Sequence, residues 1–352
     1  MQRIFFRNIA PKRVLLVKTD LIGDFFLWLP YAKELCHFYH KQGYEITILA
    51  HPSWSALIKE NLICHEILEA DEKSFFSNRT KRIQTFTALS LGFETVVNCH
   101  YSNSFMSHYL SVFPSSKNRV GLKGDHTNIH PKLNRLFNRF YHKLYEDHET
   151  FDSEQLKQQS LCESIISDFS LEPNSNDTQK ENSNSIVFFI GGSNPKRRYP
   201  IEKINEIAKS LYEKTNKEIL FCGGPDELPL KDKISKEFPN KNLVGDTTLH
   251  ELIEIIKNAE LLISNETGAV HIANFYQTPC VTLLGGGHYK RFLPFHDEQS
   301  LKLSRAVIHE MPCFQCNWQC SVEHPLESPY PCIEKIDMNE VLKNAEELLK
   351  TS

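Results

Sequence analysis

Three loops in the second half of the sequence place polar residues directly after an apolar, strand-like run. They are "GGSNPKRRYP" (191–200), "CGGPDE" (222–227) and "SNETG" (264–268). In a parallel α/β sheet such loops lie at the carboxyl ends of the strands, where the next helix offers free N–H groups to an anion. The three loops therefore predict a site for a phosphate-bearing ligand, most simply a nucleotide diphosphate.

The first of these loops contains the cations that such a ligand needs. Lys196, Arg197 and Arg198 follow a glycine-rich turn that also contains Ser193 and Asn194. Lysine and arginine side chains bind phosphate oxygens through charge-assisted hydrogen bonds. We therefore assign the turn, including Ser193 and Asn194, to binding the phosphates; the alternative is a solvated basic loop.

The third loop forms a polar corner before a predicted helix. Thr267 can cap that helix, and Gly268 leaves room for a ligand to approach the backbone. The alternative is that Ser264, Asn265 and Thr267 do no more than cap the helix. His271, one turn further on, would by itself be a hydrogen-bonded core histidine.

The second loop, and the absence of several nucleotide-binding motifs, indicate which kind of nucleotide site this is. The carboxylate of Glu227 can accept hydrogen bonds from ribose hydroxyls. The sequence has no G-x-G-x-x-G that opens a helix and no G-x-x-x-x-G-K-[ST], so dinucleotide redox chemistry and P-loop hydrolysis are poorly supported. It also lacks a D-x-D pair for a divalent metal, so helix dipoles and basic side chains must neutralise the diphosphate.

One loop in the first half of the chain carries a candidate base. In "KTDLIGDFFLWLP" (18–30), Gly23 permits a tight turn and Asp24 stands at the start of the next helix. A carboxylate there is either an ordinary helix cap or a general base. As a base it would accept the proton of an acceptor hydroxyl during group transfer.

The elements that position these loops alternate as strand and helix. The predicted strands are 13–19, 43–51, 93–100, 185–192, 217–224, 260–265 and 279–286, with amphipathic helices between them and a closing helix over 337–350. Gly43 is expected to end the first helix. The chain therefore belongs to the α/β class and contains two parallel-sheet domains, and we expect a cleft between them.

The almost wholly polar segment 172–185 has no apolar period and is predicted to be an exposed linker. It divides the chain into an N-terminal domain (1–171), expected on the side of the acceptor hydroxyl that Asp24 would deprotonate, and a C-terminal nucleotide-binding domain (186–352). The C-terminal domain would include a cysteine-rich tail and the closing helix.

Composition points to an ordinary soluble protein. The 352 residues are 40% hydrophobic and 24% charged, with a net charge of −4, which gives no general attraction to nucleic acid. The amino terminus has no apolar stretch typical of a signal peptide, and no apolar run approaches the roughly 20 residues of a membrane span. We expect a cytoplasmic protein whose thiols are reduced.

Four segments, taken together and in this order, resemble glycosyltransferase family 9, the bacterial heptosyltransferases that build lipopolysaccharide cores. The segments are "VLLVKTDLIGDFFLWLP", "GGSNPKRRYP", "FCGGPDE" and "ISNETGAVHIANFYQTPCVTLLGG". The resemblance runs from about residue 13 to the end of the chain and is weakest between 101 and 184. Each motif is modest by itself; their order and spacing make the resemblance specific.

The resemblance implies a GT-B fold: two Rossmann-like domains that face a central cleft, with the sugar nucleotide held mainly by the second. It implies inverting, metal-independent transfer of a heptose from ADP-heptose to a lipopolysaccharide-core or related glycan acceptor. Asp24 takes the place of the family's proposed base. The family's donor-binding positions fall on Lys196, Arg197, Glu227, Glu266, Thr267, Gly268 and His271.

Two departures from the family pattern leave other functions open. Glu266 stands where these enzymes usually have aspartate, and Tyr199 stands where tryptophan is common. An extra methylene beside the sugar can change the preferred donor. The alternatives are a transferase of the same fold that uses another nucleotide sugar for capsule, glycan or protein glycosylation, and a non-catalytic nucleotide-sugar-binding protein. A protein that only binds would not need Asp24.

The cysteine-rich tail, "MPCFQCNWQCSVEHPLESPYPC" (311–332), contains four cysteines. Cys313, Cys316, Cys320 and Cys332 have ligand chemistry that suits a structural Zn or Fe ion, and the resemblance includes iron-binding relatives with a four-cysteine motif. Their spacing is not that of a standard zinc finger. The alternative is four free, partly buried thiols; catalysis itself is expected to need no cofactor.

The basic segment 117–143 contains seven Lys or Arg and a single Asp. Within it "LNRLFNRFYHKLY" places Leu133, Leu136, Phe137, Phe140 and Tyr141 near one face of a predicted helix. We expect this face to contact the anionic inner surface of the inner membrane or a phosphorylated glycolipid acceptor. The alternative is a helix packed on its domain with a solvated basic face.

Overall fold

The computed structural model describes residues 12–146, 153–171 and 183–351. The chain divides into two compact units, Met1–Pro173 and Asn174–Ser352. Each unit is built on one six-stranded sheet whose neighbouring strands are all parallel. The division falls inside the predicted linker 172–185, of which residues 172–182 lie outside the described residues, so the linker and its bounds stay a prediction.

The first unit has the strand order β3-β2-β1-β4-β5-β6. Val14 to Val17 in the central strand β1 have no exposed surface, because helices cover both faces of the sheet and the strand is apolar throughout. The strands are β1 (Arg13–Lys18), β2 (Glu45–Ala50), β3 (Glu66–Glu69), β4 (Phe93–Asn98), β5 (Ser116–Leu122) and β6 (Lys143–Tyr145). The predicted strands 13–19, 43–51 and 93–100 are confirmed as β1, β2 and β4.

Seven helices surround this sheet in the described part of the unit. The longest, α1, begins directly after β1 and ends before Gly43, whose φ of +75° confirms the predicted helix stop. The helices are α1 (Ile22–Lys41), α2 (Ile58–Asn61), α3 (Glu72–Ser77), α4 (Arg79–Leu89), α5 (Phe105–Val112), α6 (Pro131–Asn138) and α7 (Glu154–Ile165).

The second unit has the strand order β12-β11-β10-β7-β8-β9. Its strands are β7 (Ser185–Phe189), β8 (Glu218–Cys222), β9 (Lys241–Asn242), β10 (Leu261–Asn265), β11 (Cys280–Leu283) and β12 (Ser304–Val307). Its helices are α8 (Ile201–Thr215), α9 (Leu228–Lys231), α10 (Leu249–Asn258), α11 (Gly268–Phe275), α12 (Glu298–Leu303), α13 (Pro331–Glu334) and α14 (Met338–Thr351). The strands and helices predicted in this half are confirmed.

The structure corrects the helix predicted over the basic segment. Helix α6 ends at Asn138, and Lys143–Tyr145 forms strand β6, which pairs with β5. The buried guanidinium of Arg119 explains this turn, since it donates to the carbonyl oxygens of Phe140 and Pro114, both at 2.7 Å. The hydrogen bond to Phe140 satisfies a carbonyl group that a longer helix would have used itself.

No helix in the described ranges is both long enough and apolar enough to cross a membrane.

Candidate functional site

In the first unit, a cluster of charged side chains lies at the carboxyl end of the sheet. The Lys18 side chain is 1% exposed, and its ammonium lies 2.7 Å from Oδ2 of Asp20. Nε2 of His100 lies 2.9 Å from Oδ1 of the same aspartate. Lys18 ends β1 and His100 follows β4, and these strands are neighbours in the sheet. The sheet order thus brings the three side chains together.

Burial and charge act in opposite directions on this cluster. Burial by itself would lower the pKa of Lys18, but the carboxylates of Asp20, Asp24 and Glu154 outweigh it and raise the pKa above its ordinary value. Burial also disfavours ionised Asp20, yet His100 and Lys18 hold the pKa of its carboxyl well below the usual range. Both members of the Lys18–Asp20 pair are therefore charged at neutral pH.

Asp24 is the third residue of α1, and it is partly exposed. The N-cap position of this helix belongs to Leu21, which makes no side-chain capping bond. The carboxylate of Asp24 contributes to the raised pKa of Lys18, so the two charges act on each other. Asp24 is thus a carboxylate at a helix start beside a buried ammonium, and its role as a base stays a prediction.

Lys18, Asp20 and His100 were not among the predicted site residues. The only local signal was a polar residue directly after an apolar strand, at Asp20 in "KTD" and at His100 in "NCH". The same signal predicted the three loops in the second half of the chain, and here it would have pointed to this cluster.

In the second unit, the loop after β7 carries the predicted phosphate cations. The side chain of Asn194 accepts from Lys196 N at 2.9 Å and caps a short 3₁₀ turn, Pro195–Arg197. Ser193 is exposed in the same turn, and the side chains of Lys196 and Arg197 are partly buried. The sequence grouped these residues correctly in one turn, while their contact with a donor stays a prediction.

Arg198 is used differently from the two cations before it. Its guanidinium pairs with Oε1 of Glu227 at 2.6 Å and donates to the carbonyl of Gly192 at 2.8 and 3.0 Å. The other oxygen of Glu227 accepts from Gly224 N at 2.8 Å. This buried pair joins the loops after β7 and β8, so both oxygens of Glu227 have protein partners, and contact with a ribose stays a prediction.

Asn265 joins the third loop to the first. Its side chain is 1% exposed; Oδ1 accepts from Tyr199 N at 2.9 Å, and Nδ2 donates to the carbonyls of Ile190 and Gly191 at 3.1 and 2.9 Å. The polar corner therefore does more than cap a helix, because its amide fixes the loop that carries the cations.

The predicted cap at Thr267 is confirmed. Its side chain occupies the N-cap position of α11 and accepts from Ala269 N at 3.3 Å. Gly268 is the first residue of this helix, and the N–H groups of its first turn are the anion-binding groups that the sequence predicts at this place.

Several enclosed polar atoms lie in or near this corner without a partner. Among the described residues, Oε1 of Glu266, Nε of Arg197 and Nδ1 of His271 are buried and make no hydrogen bond. Buried polar atoms are normally hydrogen-bonded, so a group of them at strand ends favours a ligand that supplies the missing partners.

Burial sets the charge of the two titrating groups in this corner. It raises the pKa of Glu266 to about 8, although Arg197 and Arg291 oppose the shift. It lowers the pKa of His271 to about 4, which makes the imidazole neutral at pH 7. At neutral pH the corner therefore holds arginine charges beside a mostly protonated carboxyl, a balance that suits an anion.

An aromatic layer that the sequence did not predict lies beside the cations. The guanidinium carbon of Arg197 is 4.1 Å from the ring centroid of Trp318, and Nζ of Lys196 is 5.8 Å from that of Tyr330. Trp318 also lies edge-on to His288, with the ring centroids 5.6 Å apart. All three aromatic residues follow β11 in the chain, far from the cations in sequence.

The four cysteines of the tail line one small cavity, together with Phe314, Trp318 and Tyr330. Within the described ranges, however, no three His, Cys, Asp or Glu side chains are arranged as a metal-binding group. The predicted structural Zn or Fe ion therefore has no support from this arrangement. Burial, with the neighbouring thiols, raises the pKa of Cys332.

A family model described as "Glycosyltransferase family 9 (heptosyltransferase)" matches residues 90–322. Lipooligosaccharide heptosyltransferase 2 of Campylobacter jejuni is 27% identical over 139 residues, which are 38% of this chain and 41% of that protein. The enzyme of the same name from Haemophilus influenzae is 27% identical over 124 residues, 33% of this chain and 36% of that protein. The chain thus matches about two fifths of the length of these relatives.

Solved structures match almost the whole chain. The glycosyl transferase family 9 protein of Veillonella parvula has a TM-score of 0.70 at 19% identity, covering 98% of this chain and 99% of its own. E. coli ADP-heptose lps heptosyltransferase II has a TM-score of 0.68 at 16% identity, covering 96% and 99%. These likenesses confirm the GT-B fold.

Proposed function

This chain belongs to glycosyltransferase family 9, the heptosyltransferase family, and we propose that it is a glycosyltransferase that moves a heptose from ADP-heptose to a lipopolysaccharide-core or related glycan acceptor. The observation that carries the proposal is the polar corner of the second unit, where enclosed atoms of Glu266, Arg197 and His271 have no partner among the described residues. The choice of ADP-heptose rests on the similar E. coli enzyme, whose name includes this donor.

The donor's diphosphate would bind at the loops after β7 and β10. Lys196 and Arg197 supply positive charge, and the first turn of α11, at Thr267 and Gly268, supplies N–H groups. Glu266 and His271 would orient the sugar or the phosphates. Electrostatic stabilisation by groups already in place commonly contributes more to catalysis than any other effect, so these residues would stabilise the departing diphosphate without a metal ion.

In the proposed reaction Asp24 acts as the general base. The acceptor oxygen forms its bond to the anomeric carbon from the face opposite the diphosphate, and its proton passes to the Asp24 carboxylate. The bond between that carbon and the diphosphate oxygen breaks, and the electron pair leaves with ADP. One direct displacement inverts the configuration at the anomeric carbon.

A transferase that uses another nucleotide sugar stays the alternative, because Glu266 replaces the usual aspartate of the family. A non-catalytic binding protein is the alternative from another class. It is weakened by the presence of Asp24 beside the charged Lys18, since binding alone needs no carboxylate at that corner.

The test is turnover with a panel of ADP-, GDP-, UDP- and CMP-sugars that includes ADP-heptose, with a deeply truncated lipopolysaccharide as the acceptor. We expect nucleotide release with ADP-heptose and a fall of about 100-fold or more in Asp24→Asn, with donor affinity nearly unchanged. Asp168→Asn, at an exposed position of the same unit, is the matched control. Normal transfer by Asp24→Asn would refute the mechanism, and nucleotide binding without any turnover would favour a binding protein.

We also propose that the protein is cytoplasmic and contacts the inner membrane peripherally through α6. Leu133 and Leu136 of α6, with Phe140 just beyond its end, are 40%, 48% and 50% exposed. An exposed cation precedes each of them in the sequence: Lys132, Arg135 and Arg139. Exposed apolar side chains next to exposed cations fit the interface of an anionic bilayer.

Two other residues fix α6 to its own unit. Phe137, which the sequence grouped with the apolar face expected at the membrane, is instead buried and stacks on His108 with ring centroids 5.2 Å apart, and Oδ1 of Asn134 lies 2.6 Å from Nε2 of the same histidine. These buried contacts hold the helix in place and leave Leu133 and Leu136 exposed. This observation supports a surface for docking over the alternative in which the apolar residues all pack inward.

Vesicle flotation tests this contact. Wild type should float with phosphatidylcholine vesicles that contain phosphatidylglycerol, and the triple change Lys132→Gln, Arg135→Gln, Arg139→Gln should lower binding about 100-fold, at about 1 kcal/mol per cation. The triple change Lys59→Gln, Lys73→Gln, Arg79→Gln, at exposed cations elsewhere in the same unit, controls for a general loss of positive charge. Equal flotation with neutral vesicles, or self-association through this face, would refute the membrane contact.

A further inference from the structure

The cysteine-rich segment 311–332 packs on the glycine run Gly285–Gly287 that follows β11. A Cβ atom on Gly286 would lie 2.2 Å from the ring of Phe314, and one on Gly287 would lie 2.2 Å from the ring of Trp318. Two backbone hydrogen bonds fix the same contact, from Gln315 N to Gly286 O at 2.7 Å and from Asn317 N to Gly287 O at 3.0 Å. Only glycine allows the two rings to approach so closely.

This packing turns two aromatic rings toward the candidate phosphate cations. Trp318 and Tyr330 stack with centroids 5.5 Å apart and planes at 29°. Arg197 lies over the first ring and Lys196 over the second. The backbone joins the same partners, since Tyr330 N donates to Lys196 O at 2.8 Å. One segment therefore supports both cations.

We propose that Trp318 and Tyr330 are positioning residues that hold Arg197 and Lys196 where a nucleoside diphosphate binds. This inference rests on the proposed function, because it deepens the role of the donor site. The cysteine-rich segment would then serve as an aromatic support for donor binding, a role that does not require a metal ion.

Arg197 needs this support because its side chain could otherwise adopt other conformations or pair with Glu266. A long, flexible arginine loses conformational entropy when it is ordered, and the nearby Glu266 would attract it away from the ligand once that carboxyl ionises. A ring face attracts the guanidinium without using its N–H donors. Those donors therefore stay available to a ligand, and Nε of Arg197 makes no hydrogen bond within the described residues.

A comparison with Phe314 distinguishes the positioning of a cation from simple packing of the segment. Phe314 lies against the same glycine run as Trp318, but its ring neighbour is Tyr289, at 5.2 Å between centroids, and no cation of the described residues lies over it. Loss of Phe314 should therefore loosen the segment without removing the support of a cation.

Calorimetric titration with ADP and with inorganic pyrophosphate tests the proposal. Trp318→Leu fills space without a ring face and should weaken the binding of both ligands about 5- to 20-fold. Trp318→Phe keeps a ring and should retain most of the affinity. Phe314→Leu is the matched control and should bind as wild type does.

A double-mutant cycle between Arg197 and Trp318 distinguishes positioning of the cation from a structural role of Trp318. In an Arg197→Ala background the Trp318 substitutions should have no further effect on affinity, because their partner is gone. If Trp318→Leu does not fold, the small loss in Trp318→Phe must likewise vanish in that background.

The outcomes separate this inference from the proposed function. A wild type that binds neither ligand would refute both. A wild type that binds them, with Trp318→Leu unchanged, weakened no more than Phe314→Leu, or additive with Arg197→Ala, would refute the positioning role alone.

Discussion

Each unit has a corner with charged side chains at the carboxyl end of a parallel sheet. The two corners differ in whether these side chains have partners within the protein. In the first, the buried ammonium of Lys18 is already paired with Asp20 at 2.7 Å. In the second, atoms of Glu266 and Arg197 are enclosed and have no hydrogen-bond partner among the described residues. In the first corner the buried ammonium has its partner within the protein, whereas in the second a ligand would have to supply the missing partners.

The difference corresponds to two tasks in the proposed reaction. A base must have a fixed charge and position before the acceptor arrives, so its surroundings gain from complete pairing. A donor site must instead gain its interactions on binding, so unsatisfied donors are kept in place. Substitutions in the first corner should therefore mainly lower the free energy of unfolding. Substitutions in the second should mainly lower the affinity for the donor nucleotide.

Asp20→Asn should cause the largest change, a loss of about 3 kcal/mol in the free energy of unfolding at pH 7, because it leaves the buried Lys18 without its nearest partner. Urea unfolding measures this loss, with Asp168→Asn as the exposed control. A loss below about 1 kcal/mol would mean that Asp24 and Glu154 hold the ammonium equally well.

The pH dependence of that loss has a definite sign. The pKa of Asp20 is lower in the folded protein than its ordinary value of 3.8, so its stabilising contribution is complete above about pH 4 and is lost as the pH falls further. Wild type and Asp20→Asn should therefore converge in stability below pH 4. A difference that stays constant in acid would contradict the pairing.

Arg197→Ala should weaken ADP binding about 10- to 100-fold, because a charge-assisted hydrogen bond to a phosphate is lost. Its stability should change little, which is the reverse of the result expected at Asp20. Calorimetric titration and urea unfolding of the same variant give both values. Unchanged ADP affinity would show that the second corner does not bind the diphosphate.

The smallest expected effect is a several-fold fall in ADP affinity between pH 7 and pH 9. Burial raises the pKa of Glu266 to about 8, so the carboxyl ionises across this window and then repels the diphosphate. Glu266→Gln should bind ADP with little pH dependence in the same range. A wild type whose affinity rises with pH would contradict this assignment.

The Glu266 carboxyl should make stability depend on pH with the sign opposite to that of Asp20. Its folded pKa lies above the ordinary value of 4.5, so the folded state binds the proton more tightly and stability falls as the pH rises from about 4.5 to 8. Glu266→Gln should remove that fall, and thermal unfolding across this range detects it.

The sequence alone was enough to predict seven of the twelve strands in the described residues, together with the polar strand ends, the stop at Gly43 and the cap at Thr267; it did not predict β3, β5, β6, β9 or β12. These features depend on residues close to one another in the chain, because apolar periodicity, capping and left-handed turns are local. The same reasoning failed for the end of α6, where Arg119, some twenty residues away, takes up the carbonyl of Phe140.

Only the tertiary structure decided which charged residues have partners. Three consecutive cations look equivalent in the sequence, yet Arg198 turns inward to Glu227 while Arg197 lies over Trp318. Likewise, Asp20 meets His100 because β1 and β4 are neighbours in the sheet. Burial, pairing and pKa depend on contacts between residues that are distant in the chain, and a local pattern of residue types carries no record of them.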